Sequence, residues 1–277
     1  MPRVERNGFS LYYQTDGQGE TVAFVGDLGY GAWQWAWQHQ AVAGPFEALT
    51  WDLRGTGRSG VPDGPYEVTA LAADLEAVLA DAGVGRAHLV GAGLGGLVAL
   101  RYALDYDRAR TLTLLGTSAG GPHLPEDSVD RLYAPADDED ALRATLDPVL
   151  TDEFLDGHPD VVDDVVQWRA GTVPGDDESA SGGPGGDAPE AGWRAQASAA
   201  EGFDVRDRLY EVTLPALVIH GTADEVWPAA DGEALAEDLP RGRYEPVECG
   251  PHLVGVERPR IVDDLLVGFL EAQSETA

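Results

Sequence analysis

The chain has 277 residues, enough to bury a large core as one α/β domain or two small ones. Its 49 Asp and Glu stand against 18 basic residues, all of them Arg, for a formal charge of −31 that repels nucleic acid and anionic membranes and so excludes both as partners. A hydrophobic content of 43% in periodic blocks argues against disorder and for a folded protein with a strongly hydrated acidic surface, as in halophilic cytoplasm, where molar salt screens such charge within about 3 Å.

In chain order, residues 3–15, containing VERNGFSLYYQ, read as a hairpin turning at Asn7-Gly8, and TVAFV at 21–25 as a short buried strand. A Trp-rich helix is expected at about 33–42 and a strand at 46–53. The helix expected at 68–83 puts Val68, Leu71, Leu75, Val78 and Leu79 on one face and Asp74, Glu76 and Asp81 off it. Strand 86–91, helix 95–106 and strand 111–116 follow, and strand 215–220, helix 229–238, strand 242–248 and helix 259–272 close the chain. Strands alternating with amphipathic helices predict an α/β fold with a mostly parallel sheet covered on both faces. The interval 119–210 breaks the rhythm, with helical pieces near 125–133, 138–150 and 159–169. It is expected to be a helical cap inserted between core segments 1–118 and 211–277, with the Gly/Pro/acid-rich stretch 171–192 as a flexible loop. The single cysteine, Cys249, forbids an intrachain disulfide. The first ten residues carry no apolar signal region, and no apolar run approaches the roughly 20 residues of a membrane span, so a cytoplasmic location is expected.

At 89–100, LVGAGLGGLVAL runs from a strand through a glycine-rich turn into a helix. Such a turn normally presents a nucleophile in the pattern G-x-S-x-G, but its apex here is Gly93. Four more segments accompany it: FVGDLGYG at 24–31, WDLRGTGRS at 51–59, HGTAD at 220–224 and GPHLVGVERP at 250–259. Together, in this order, they resemble the α/β-hydrolase superfamily, specifically its capped haloperoxidase-, lactonase- and esterase-like members. The resemblance implies an α/β-hydrolase fold, His252 as the catalytic histidine and Asp224 as its acid. It implies an oxyanion hole from the backbone N–H groups of Leu28 and Leu94, with no metal and no cofactor. Glu257 and Pro259 would open the last helix. Asp52, Arg54 and Ser59 are expected to tie a turn together, and the other histidines, at 39, 88, 123, 158 and 220, to be structural. This chain departs from the family at Pro251, at Gly26 and Asp27 where H-G is usual, and at Gly93. Asp27 brings a carboxylate close to where negative charge would develop, unless it points to solvent or caps the following helix.

Glycine has no side chain, so an acyl-enzyme through residue 93 is excluded. Loss of the serine from such a triad costs about 10⁶ in kcat. One reading is hydrolase-like chemistry on a small apolar substrate, with a His252–Asp224 general base acting on a water seated beside Gly93. The same base could serve proton abstraction. A second is a non-catalytic small-ligand binder or sensor, and a third moves the nucleophile to Thr117 or Ser118. Tyr30, Trp33, Trp35, Trp227 and Ser118 are expected to line the pocket, core packing being the alternative for the tryptophans. On this view, Gly93→Ser alone would create esterase activity.

Overall fold

The computed structural model describes residues 2–120, 130–172 and 185–274. Eight strands form one sheet: β1 (Arg3–Arg6), β2 (Phe9–Gly17), β3 (Thr21–Val25), β4 (Glu47–Trp51), β5 (Ala87–Ala92), β6 (Ala109–Leu115), β7 (Ala216–Gly221) and β8 (Gly242–Val247). Their order is β1-β2-β4-β3-β5-β6-β7-β8. The β1–β2 and β2–β4 pairs are antiparallel and the rest parallel, which gives the α/β-hydrolase fold. Asn7 and Gly8 close the first hairpin with φ of 51° and 88°, the left-handed pair that a two-residue turn requires.

The parallel strands read as continuous apolar runs because helices cover both faces. On one side lie α2 (Val68–Asp81) and α3 (Leu94–Asp105), whose Leu71, Leu75, Leu97 and Leu100 are fully buried. On the other, α1 (Ala36–Val42) packs against the closing helix Pro259–Ser274. Its apolar layer includes Phe24, Trp35 and Leu266, with the Phe24 and Trp35 rings 5.1 Å apart. Trp35 therefore serves the core. The Trp-rich segment begins as a short 3-10 turn, Ala32–Trp35, before α1.

Asp74 departs from the sequence reading. It is fully buried, and its carboxylate takes two hydrogen bonds from Arg54, at 2.5 and 2.7 Å, and one from Arg6 at 2.9 Å. Helical periodicity alone cannot show a carboxylate that arginines from β1 and the loop after β4 come to meet. Removing it would leave Arg54 buried and unpaired, so Asp74→Ala is expected to lower unfolding free energy by about 3–5 kcal/mol in urea titrations. Ser59 accepts from the Tyr12 N–H and donates to the Asp52 carbonyl, while Asp52 holds the Arg58 N–H at 2.9 Å. These three contacts staple the turn after β4.

Between β6 and β7 the described residues form helices Glu139–Ala144, Asp152–Gly157, Pro159–Arg169 and Glu190–Glu201. Most of the piece read at 125–133, together with His123, lies outside the described residues, as does 173–184 of the expected flexible loop. The loop's remaining C-terminal part is packed rather than loose. Asp187 forms an ion pair with the fully buried Arg169 at 2.7 Å and accepts from the Trp33 indole at 2.7 Å. A helix begins at Glu190. Composition suggested a loop because the side chains that anchor the segment, Arg169 and Trp33, lie outside it.

Candidate active site

Open parallel sheets bind ligands beyond the carboxyl ends of their strands, where the strand order reverses. Here the reversal is at β3, flanked by β4 and β5. In the β3–β5 register Val25 pairs with Gly91. Asp27 and Gly93, each two residues further on, emerge side by side. Gly93 adopts φ 46° and ψ −115°, a conformation that strains any residue with a Cβ.

Asp27 occupies the space that a side chain at 93 would take. A Cβ built on Gly93 would lie 1.8 Å from Asp27 Oδ1. The same Oδ1 accepts the Leu28 N–H at 2.6 Å and the Leu94 N–H at 2.8 Å. Both proposed oxyanion donors are thus already engaged by a carboxylate, and Asp27 caps the start of α3, where the helix dipole favours negative charge. Asp27 Oδ2 meets His252 Nε2 at 2.8 Å. These contacts correct two expectations: there is no seat for a water at Gly93, and the Leu28 and Leu94 amides are not free to hold a substrate oxyanion.

The neighbours of Asp27 fix its aim. Its own N–H donates to Gln34 Oε1 at 2.9 Å. The following Gly29 N–H donates to Gln196 Oε1 of helix Glu190–Glu201 at 2.8 Å, and Gln196 Nε2 donates to the Arg54 carbonyl and to Thr56. Gln196 is buried and had no signal in the sequence, since nothing local marks a glutamine that bridges two loops.

His252 lies between β8 and the short helix Val254–Glu257. Its Nδ1 is 2.9 Å from Asp224 Oδ2. Asp224 Oδ1 accepts the N–H groups of Val226 and Trp227, and buried His220 approaches Oδ2 at 3.2 Å. Burial works to lower the His252 pKa, but the charge and hydrogen bond of Asp224, aided by Asp27, outweigh it and push it up to about 10. Burial acts to raise Asp224, but His252 and His220 hold its carboxyl well below the usual range. The site is therefore a carboxylate–imidazolium–carboxylate chain. A carboxylate oxygen thus meets each ring nitrogen of His252, and general-base action on a water needs Nε2 released from Asp27.

Over this chain lies a cavity of about 10 Å³, roughly one water's worth of room. Asp27, Leu28, Tyr30, Leu94, Val226, Trp227 and His252 line it, together with Leu132 and Ala200 from the stretch between β6 and β7. Tyr30 and Trp227 supply its aromatic lining. Trp33 and Ser118 do not line the cavity. The Trp33 indole is turned to Asp187, and Ser118 Oγ accepts from the Gly120 N–H. Thr117 Oγ1 donates to the Gly93 carbonyl at 2.7 Å. It is Asp27, not either hydroxyl, that meets His252 Nε2, so neither hydroxyl is paired with the histidine as a relocated nucleophile would be. Glu257 does not open the final helix, which starts at Pro259. Its carboxylate instead holds Thr151, between β6 and β7, through that residue's N–H and Oγ1, both at 2.9 Å. Among the described residues no cluster of His, Cys, Asp and Glu could hold a metal ion, and no helix is long and apolar enough to cross a membrane.

A mostly parallel sheet of this order with a strand–turn–helix elbow at its carboxyl edge is the α/β-hydrolase fold. The chain belongs to the alpha/beta hydrolase fold family, which matches residues 29–259. It is 30% identical over 256 residues to a Caulobacter segnis protein carrying the name carbamate hydrolase RutD, covering 91% of each chain. It is 25% identical over 271 residues to 3-oxoadipate enol-lactonase 1 of Acinetobacter baylyi, covering 97% of this chain and 96% of that protein. Among solved structures, an enol-lactonase from Burkholderia xenovorans superposes with a TM-score of 0.82 at 26% identity, over 98% of this chain and 100% of the other.

Proposed function

We propose that this protein is a hydrolase of small, largely apolar molecules that works without a serine nucleophile, with Asp27, His252 and Asp224 as its reacting side chains. The observation that carries the reading is the unbroken chain from the Leu94 N–H through Asp27 and His252 to Asp224, beneath an apolar cavity. Burying two carboxyl side chains and an imidazole together carries a desolvation cost of several kcal/mol for each one that is charged, and a turn needing only shape would be served by apolar residues. Perturbed titratable groups facing a cavity point to chemistry. The inserted segment 119–210 acts as a cap, contributing Leu132 and Ala200 to the cavity wall. The charge of −31 favours a salt-rich cytoplasm as the working medium.

The test is turnover in molar salt of a panel of small esters, lactones, carbamates and cyclic ethers by wild type and His252→Ala. At least one compound is expected to be hydrolysed about 10²-fold or more faster by wild type, the scale of acid–base assistance. Identical rates for both proteins across the panel would refute the hydrolase reading, and saturable binding without turnover would favour a non-catalytic binder.

A further inference from the structure

We propose that Asp27 is the nucleophile, supplied by the loop after β3 instead of the elbow, and that it attacks a saturated carbon of a small apolar epoxide. This rests on the hydrolase reading above. The choice of electrophile follows from which amides are occupied. Attack on an ester carbonyl would place an oxyanion on the substrate, yet the Leu28 and Leu94 N–H groups are taken by Asp27 Oδ1. Attack on saturated carbon makes no such oxyanion. It forms an ester at Asp27, and when water later adds to that ester's Cγ, the negative charge develops on Oδ1, already between the two donors.

A second, independent observation concerns the leaving group. The Tyr30 hydroxyl is buried and has no hydrogen-bond partner among the described residues, and Tyr30 lines the same cavity as Asp27. An unmet buried hydroxyl costs free energy that a ligand oxygen would recover. Burial also raises its pKa, which keeps the proton in place. A strained cyclic ether needs such a donor, because its departing oxygen is a poor leaving group until protonated. The apolar wall of Leu28, Leu94, Leu132, Ala200, Val226 and Trp227 suits a hydrocarbon substituent, and an epoxide larger than one water requires Leu132 and Ala200 to move outward with the cap.

The steps balance as follows. An Asp27 Oδ2 electron pair forms a C–O bond as the ring C–O bond breaks. The ring oxygen takes the Tyr30 proton, and Tyr30 regains one at the expense of the His252 imidazolium, which has lost the carboxylate that held it. Neutral His252 then accepts a proton from water as the water oxygen adds to Asp27 Cγ. Collapse of the tetrahedral centre expels the diol oxygen, which takes the His252 proton, and the new carboxylic acid returns its proton to His252. One epoxide and one water become one diol, with Asp27 and His252 restored.

The experiment uses the full chain in molar salt with 1,2-epoxybutane in heavy-oxygen water. With enzyme in excess, the first-turnover diol is expected to carry light oxygen from Asp27, and the Asp27 peptide to gain one heavy oxygen by mass spectrometry. Diol bearing heavy oxygen with an unlabelled Asp27 peptide would overturn the proposal while leaving the hydrolase reading intact. No diol formation would overturn the proposal, while turnover of another class in the panel above would still support a hydrolase. Tyr30→Phe removes no hydrogen bond among the described residues and is expected to leave stability unchanged while slowing the first step about 10²–10⁴-fold. An unchanged rate would overturn the donor role.

Discussion

Gly93→Ser alone is expected to give no esterase and to destabilise the protein, whereas Gly93→Ser combined with Asp27→Gly gives a serine esterase. In the single variant the new Cβ would lie 1.8 Å from Asp27 Oδ1 and the backbone would be held at φ 46°. Overpacking and backbone strain each cost about 1–3 kcal/mol, so a loss on the order of 3 kcal/mol is expected in urea titration. Removing the Asp27 carboxylate relieves the clash and frees the Leu28 and Leu94 N–H groups for a substrate oxyanion. His252 Nε2, released from Asp27, then faces the serine hydroxyl. The double variant should label with a fluorophosphonate at residue 93 and hydrolyse small esters at least about 10³-fold faster than wild type, well within the span that a triad serine controls. A folded double variant that neither labels nor hydrolyses would show that Asp27 is not what separates this site from a serine hydrolase.

The second large effect is in the pH dependence of stability. His252 is raised from 6.5 to about 10, so the folded state binds that proton more tightly than the unfolded chain. Its contribution is fully present below pH 6.5 and is lost as pH rises through 10, with a slope approaching about 1.4 kcal/mol per pH unit between them. Asp224 works in the opposite sense. Its lowered carboxyl contributes above its ordinary 3.8 and is lost as pH falls through the folded value. The pair therefore predicts greatest stability between about pH 4 and 6.5 and a decline of several kcal/mol towards pH 10. Asp27→Asn should flatten that decline. Its amide oxygen can keep the Leu28 and Leu94 N–H bonds, while its NH₂ donates to His252 Nε2 and so requires a neutral ring. NMR titration of the His252 ring should show a pKa at least about one unit lower in Asp27→Asn, since Asp27 contributes both charge and a hydrogen bond to the rise. Equal values in both proteins would refute the coupling.

Much of this molecule was legible in its residues. The strand at 21–25 and the helix at 229–238 fall where period and turn signals put them, and the other core elements lie within a few residues of expectation. Such elements follow from hydrophobic periodicity over a few residues, which is a local property. His252 and Asp224 were placed by the segments around them, and they lie 2.9 Å apart. Asp74, Arg169 with Asp187, and Gln196 were not legible, because each is buried against partners from other elements. Periodicity ranks a charged residue as exposed unless its partner is also known.

Asp27 marks the boundary most sharply. The sequence determined that a carboxylate stands in the loop after β3 and that the elbow lacks a side chain, because both follow from residue identity and strand-to-turn patterns. Only the tertiary structure decided that these two departures are one feature. The β3–β5 register sets Asp27 beside Gly93, and the space left by the missing Cβ receives the carboxylate. Two amides and an imidazolium then hold it from 1, 67 and 225 residues away along the chain. A side chain's direction is fixed by the summed contacts of everything packed around it, and that sum exists only in the folded molecule.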